Sequence, residues 1–175
     1  MGKLKDIDYR ILSELLKNSK MSDRKLAKEI GVSQPTVTRR RARLEKEVID
    51  GYTLVPKWEK LGYEILAFTF VKTKQTLGLK EKYAAAHERG TEWLMNQANI
   101  IMSGGCRGMG VNGFMISVHK SYSDFDSFMA KHKRELGDTF TDVQTVLVNL
   151  GGNQILKPLH LKYLAEAKYS FHYSC

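Results

Sequence analysis

Arg39, Arg40, Arg41 and Arg43 fall within five residues, a density of positive charge that repels itself unless anions such as phosphates neutralise it. Ser33, Gln34, Pro35, Thr36 and Thr38 come just before them, and Lys46 follows. Amide and guanidinium groups match adenine and guanine edges through paired hydrogen bonds, and threonine offers a hydroxyl and a methyl. Gln34, Thr36, Thr38 and Arg39 therefore have the chemistry of base readout, whereas Arg40, Arg43 and Lys46 suit phosphates. The plainer alternative is a solvated basic helix face. A second stretch, SGGCRGMGVNG over residues 103–113, holds five glycines in eleven residues and so permits close backbone approach by a ligand. Its candidate contacts are Cys106, Arg107, Gly110, Val111, Asn112 and Gly113, with the Arg107 guanidinium placed to hold an anion and to activate the neighbouring thiol. A tight β-hairpin with a buried strand cysteine is the competing reading, since the strand-to-helix setting of a phosphate loop is missing.

No catalyst can be assembled from motifs. His87, His119, His132, His160 and His172 show no metal-ligand spacing, Cys106 and Cys175 are far apart, and neither a Ser-His-Asp set nor a carboxylate pair stands out. No catalytic residue, metal or cofactor is expected. Trp58, Trp93 and the tyrosines read as core or interface rather than as a stacking platform for bases.

The chain that must position these groups has 175 residues, 42% of them apolar, and carries a formal charge of +9. That length suits at most two modest domains. Residues 1–60 hold 15 basic and nine acidic side chains against 13 and ten in the remainder, so the excess lies in the first third. The longest uncharged stretches, Trp93 to Cys106 and Val143 to Leu156, are shorter than the roughly 20 apolar residues of a bilayer span, and MGKLKDIDYR does not read as a secretion signal. A soluble, cytoplasmic protein with free thiols and no membrane partner is expected.

Ile7, Ile11, Leu12, Leu15 and Leu16 recur at helical spacing, which predicts a helix from about Asp6 to Lys17. Ser22 caps a second helix that buries Leu26, Ala27 and Ile30 and stops at Gly31; Ser33 caps a third, with Pro35 in its opening turn. On that third helix Val37, Leu44 and Val48 share one side, and Pro35, Arg39, Ala42, Arg43 and Lys46 lie opposite, so the basic side chains should point away from the core. Asp50-Gly51 between short apolar runs predicts a hairpin, the wing, and PKWEKLGY reads as a connector to a boundary near residue 60. EILAFTFVKTK, a helix from Leu79 to about Gln97, IIMSGGC, GFMISVH, a helix from about Asp124 to Leu136 and TDVQTVLVNL then follow in the order β-α-β-β-α-β. That order suits a ferredoxin-like sheet with helices on one face, whose other face a second copy would cover. The tail with Leu156, Leu159, Leu161 and Leu164 around Pro158 is either an edge strand or a docking helix.

DIDYRILSELLKNSKMS, KLAKEIGVS, TVTRRRARLEKEVIDGY and the closing KLG together resemble, at matching spacing from Leu4 to Gly62, the winged helix-turn-helix of the Lrp/AsnC (feast/famine) transcription regulators. The second half is similar to that family's ligand-sensing domain in element order. The resemblance implies an α+β fold in three parts: a winged helix-turn-helix over 1–60, a ferredoxin-like sensing and dimerisation domain over 61–152, and a carboxy-terminal extension over 153–175. It further implies a dimer or higher oligomer on a palindromic duplex DNA site, tuned by a small-molecule effector. Two positions depart from the pattern. Arg41 stands where the family usually has an aliphatic residue, with its head expected to reach a phosphate. Gly110, Val111, Asn112 and Gly113 replace a Gly-Asp-x-Asp-like turn suited to holding an amino group, so the resemblance does not carry over a free amino acid as effector. Two alternatives stay open: a DNA-packaging protein of low specificity, and an enzyme like the sirohaem decarboxylases, in which Met109 would occupy the place of a proton-donating histidine.

Overall fold

The computed structural model describes residues 3–74, 80–151 and 155–166, with no side chains described for 80–83. It divides into two compact units, one within Met1–Val55 and Lys157–Cys175, the other within Pro56–Leu156. His172 and Cys175 lie outside the described residues, as does Leu79.

The first unit holds three helices, α1 (Asp6–Lys17), α2 (Asp23–Ile30) and α3 (Gln34–Glu47). Their one-sided apolar residues Ile11, Leu15, Leu26, Ala27, Ile30, Val37 and Leu44 form a closed core, joined by Met21 from the turn between α1 and α2. Ser22 accepts a bond from the Lys25 amide at the start of α2, and Gly31 ends that helix with a left-handed φ of 71°. Ser33 holds the N-cap position of α3 but makes no cap bond; its hydroxyl pairs instead with that of Thr36 at 2.8 Å. Val48 is not part of the core. α3 ends at Glu47, the helical projection stops with it, and Ile49 packs inward while Val48 stays 39% exposed.

The wing is not a hydrogen-bonded hairpin. Residues 49–57 form no strand, and neither Asp50 nor Gly51 adopts the positive φ that a two-residue type I′ turn requires. The tail resolves the other way from an edge strand: α6 (Lys162–Glu166) is a short helix in contact with α1.

The second unit has β1 (Ile65–Thr73), α4 (Lys80–Met95), β2 (Ile100–Gly108), β3 (Val111–His119), α5 (Tyr122–Leu136) and β4 (Phe140–Asn149). The strands form one antiparallel sheet in the order β2-β3-β1-β4, the arrangement that a β-α-β-β-α-β chain reaches with both crossovers on one face. Alternation sorts the side chains. Ala67, Thr69, Met115 and Ser117 are buried, and Trp93, Phe128 and Leu136 from the helices join Met115 in the core. Most of the glycine-rich stretch is strand: β2 and β3 meet through Met109-Gly110, with φ of 50° and 74°, as in a type I′ turn.

Candidate nucleic-acid interface

Helix α3 exposes Ser33, Gln34, Pro35, Thr38, Arg39, Ala42 and Lys46 along its outer side, with Thr36 half-buried. Arg39 has neither an ion pair nor a hydrogen bond among the described residues. Thr38 donates to Asp23 Oδ2 at 2.7 Å, which ties the outer face of α3 to the first turn of α2.

The remaining arginines do not all leave the core side, and here the helical projection misleads. Arg40 reaches Asp8 Oδ1 at 3.0 Å and Arg43 reaches Asp8 Oδ2 at 2.6 Å, and Asp8 is fully buried. The Lys5 amide donates to the same carboxylate at 2.8 Å. Burial pushes the Asp8 carboxyl up, but the Lys5 amide, Arg40 and Arg43 outweigh it and hold the group below its ordinary range. A guanidinium is long enough to cross from α3 to α1, so position on a helical wheel does not decide where the charge goes. Two guanidiniums on one carboxylate leave a net positive charge, and Arg43 keeps about a third of its side chain, 34%, exposed.

Arg41, expected to reach a phosphate, is instead folded back onto its own chain. It donates to the Met21 carbonyl at 2.9 Å, to Asp23 at 3.1 Å and to Glu45 at 2.9 Å, and it lies over the Tyr52 ring. Tyr52 donates to Glu45 as well, and together the phenol and Arg41 hold the Glu45 carboxyl below its usual value. Sequence reasoning assigned Asp8, Asp23, Glu45 and Tyr52 no part in this surface. The partners of Asp8 and Asp23 on α3 lie 15 to 35 residues away in the chain, beyond any local periodicity.

In the second unit a cavity of about 420 Å³ opens between α4 and the sheet. Of the six candidate effector residues, Asn112 and Gly113 line it, and Cys106, Arg107, Gly110 and Val111 do not. The cause is the hairpin: extending both strands to Met109-Gly110 carries those four residues past the cavity toward the turn. Cys106 is a half-buried free thiol.

A Ser-His-Asp geometry that no motif suggested does exist nearby. Ser117 Oγ lies 2.8 Å from His119 Nε2, and Asp124 lies 3.9 Å from Nδ1. Ser117 and His119 are both fully buried, with the imidazole against the rings of Phe125 and Phe128, so no substrate reaches them. Burial lowers the His119 pKa, and Asp124 opposes that only in part. Among the described residues no His, Cys, Asp and Glu cluster could hold a metal ion, and no helix is long and apolar enough to cross a membrane.

Residues 4–45 match the AsnC-type helix-turn-helix domain. An HTH-type transcriptional regulator of Pyrococcus furiosus is 42% identical over 74 residues, 42% of this chain and 49% of that protein. The chain thus spans about half the length of the curated relatives it matches. The structure of Bacillus subtilis LrpC superposes with a TM-score of 0.69 at 26% identity, over 89% of this chain and 100% of that one. A Neisseria meningitidis transcriptional regulator solved with L-Met superposes with a TM-score of 0.73 at 18% identity, over 83% and 90%. These relatives are regulators, and the decarboxylase alternative is set aside. The amino end therefore carries an AsnC-type helix-turn-helix domain, and the two-part fold is similar to that of LrpC.

Proposed function

We propose that the chain is a sequence-specific transcription regulator of the cytoplasm that binds duplex DNA through α3 as a dimer or higher oligomer. The observation that carries this reading is the outer face of α3, where Gln34, Thr38, Arg39 and Lys46 stand exposed while the arginines behind them brace the helix against α1 and α2. A recognition helix laid in a major groove meets base edges with its amino-terminal side chains. Gln34, Thr36, Thr38 and Arg39 read bases, Ser33 and Pro35 border the entry, and Lys46 with the exposed part of Arg43 meets phosphates. Arg40 serves chiefly as a brace.

Self-association is supported by the uncovered sheet face. Phe68, Ile116, Val146 and Met102 are cross-strand neighbours there, with Val146 and Met102 more than half exposed. Two-fold pairing matches a pseudo-palindromic site. A small-molecule effector in the second unit agrees with the L-Met bound by the Neisseria neighbour.

Binding to a selected site and to random duplexes, each measured over a range of salt, tests the assignment. Arg39→Ala should lose about 1–3 kcal/mol of discrimination, whereas Lys46→Ala should weaken all duplexes alike and flatten the salt slope by about one. Equal losses on both kinds of duplex for Arg39→Ala would favour a DNA-packaging role.

A further inference from the structure

The core of the second unit is incomplete. Trp93, Met115, Phe128 and Leu136 fill one end of the space between helices and sheet, and the cavity of about 420 Å³ takes up the other. Glycines line both of its walls: Gly90 on α4, Gly104 and Gly105 on β2, and Gly113 on β3. Glycine weakens helix and strand interiors alike, so its presence calls for a local reason. At Gly113 there is one, because a Cβ there would approach Val71 to 2.9 Å. At Gly90 a Cβ would meet nothing within 4 Å among the described residues, at Gly105 only the Asn112 carbonyl at 3.8 Å and at Gly104 only the Phe114 ring, at no less than 3.5 Å. Neither packing nor a left-handed backbone requires glycine at those three positions. Gly90 and Gly105 border the unfilled space, Gly105 paired with Gly113 on the helix-facing side of the sheet, whereas Gly104 pairs with Phe114 on the opposite face.

His132 supplies the second observation. It is 3% exposed, lines the cavity, stacks on Phe140 at an interplanar angle of 7° and meets the edge of Trp93, yet makes no hydrogen bond among the described residues. A buried polar group without a partner is costly, and a ligand that supplies one is bound the more tightly for it. The described lining contains no Lys, Arg, Asp or Glu; its other polar groups are His87, Asn112 and Ser or Thr hydroxyls. Among the described lining residues neither an ammonium nor a carboxylate finds a Lys, Arg, Asp or Glu as its counter-charge.

We propose that this cavity is the effector site of the regulator described above, on which reading the inference rests, and that it takes an uncharged planar aromatic molecule of one or two rings whose hydroxyl donates to the His132 imidazole. Glycine on both walls leaves a slot free of side chains, and Phe140 and Met115 offer it ring and thioether contacts. The volume amounts to about a dozen waters, ample for one or two fused rings.

Calorimetric titration of the full chain with 2-naphthol, 2-naphthoate and L-tryptophan tests this. The naphthol should bind saturably, and the two charged probes, matched to it in ring size, at least about tenfold more weakly. Gly90→Leu, which fills the slot from a helix that tolerates leucine better than glycine, should weaken naphthol at least about tenfold. His132→Phe, which keeps the stack on Phe140, should weaken it about threefold to tenfold, the share of one buried hydrogen bond. Absent naphthol binding, equal binding of naphthoate or tryptophan, or an unchanged affinity in Gly90→Leu would each overturn the proposal. Duplex binding by the ligand-free protein is measured alongside, so that a chain with no affinity for DNA counts against the regulator reading and not against the cavity.

Discussion

The two units treat their polar groups in opposite ways. Around α3, three of four clustered arginines are matched by carboxylates of the same chain, and the fully buried Asp8 joins two of them to α1. In the sheet unit a buried imidazole has no hydrogen-bond partner among the described residues, and glycines stand beside empty volume. The first arrangement yields a surface whose shape is set before any ligand arrives, which spares a binding partner the entropy of ordering it. The second leaves its last contacts to be made from outside.

Removing the brace should have the largest effect. Asp8→Ala leaves two part-buried guanidiniums unpaired, and their Nε atoms already lack partners; urea denaturation should show a loss of about 3–5 kcal/mol. A loss near the few tenths typical of surface pairs would show that solvent reaches this cluster and erase the contrast. Leu26→Ala should cost about 3 kcal/mol by the same measurement, because Leu26 is fully buried in the helical core.

Acid should then separate the units. Burial holds His119 and His132 below the ordinary value of 6.5, so their neutral forms stabilise the fold above that pH, and the contribution is lost as pH falls below it toward the lowered values. Asp8 is held below 3.8, so its contribution persists above that pH and disappears only at stronger acidity. Both tryptophans, Trp58 and Trp93, lie in the second unit. Tryptophan emission should therefore change in mild acid while the helical circular dichroism of α1 to α3 survives; a single coincident transition would refute the separation. The smallest effects come from two glycines of opposite sign. Gly31→Ala forces a side chain into a left-handed cap and should cost about 1 kcal/mol, whereas Gly90→Ala, inside a helix and facing space, should raise stability by about 0.5–1 kcal/mol.

Local chemistry made most of the architecture legible. The span of α1, the stop at Gly31 and the β-α-β-β-α-β order follow from apolar spacing and caps that act within a few residues. Val48 was misplaced because a periodic projection carries no information about where a helix ends. The Asp50-Gly51 pair is compatible with a hairpin but does not compel one, and Tyr52 is drawn to Glu45 and Arg41 instead. Arg39 could be read as outward-facing from α3 alone. The fate of Arg40, Arg41 and Arg43 could not, since it depends on Asp8 and Asp23, which precede them by 18 to 35 residues and meet them only after the helices pack. The cavity was hidden for a related reason: five glycines near a turn look like turn chemistry, and only the strand register shows that Gly105 and Gly113 stand side by side on its wall.

Because α6 contacts α1, the first compact unit is drawn from two separated stretches of chain. During synthesis α1, α2 and α3 emerge early, yet the surface that α6 covers waits until translation has passed residue 166 and the whole sheet unit has been made. The helical unit thus waits on the sheet unit for one of its pieces, so a chain interrupted within the sheet would carry α1 to α3 without α6.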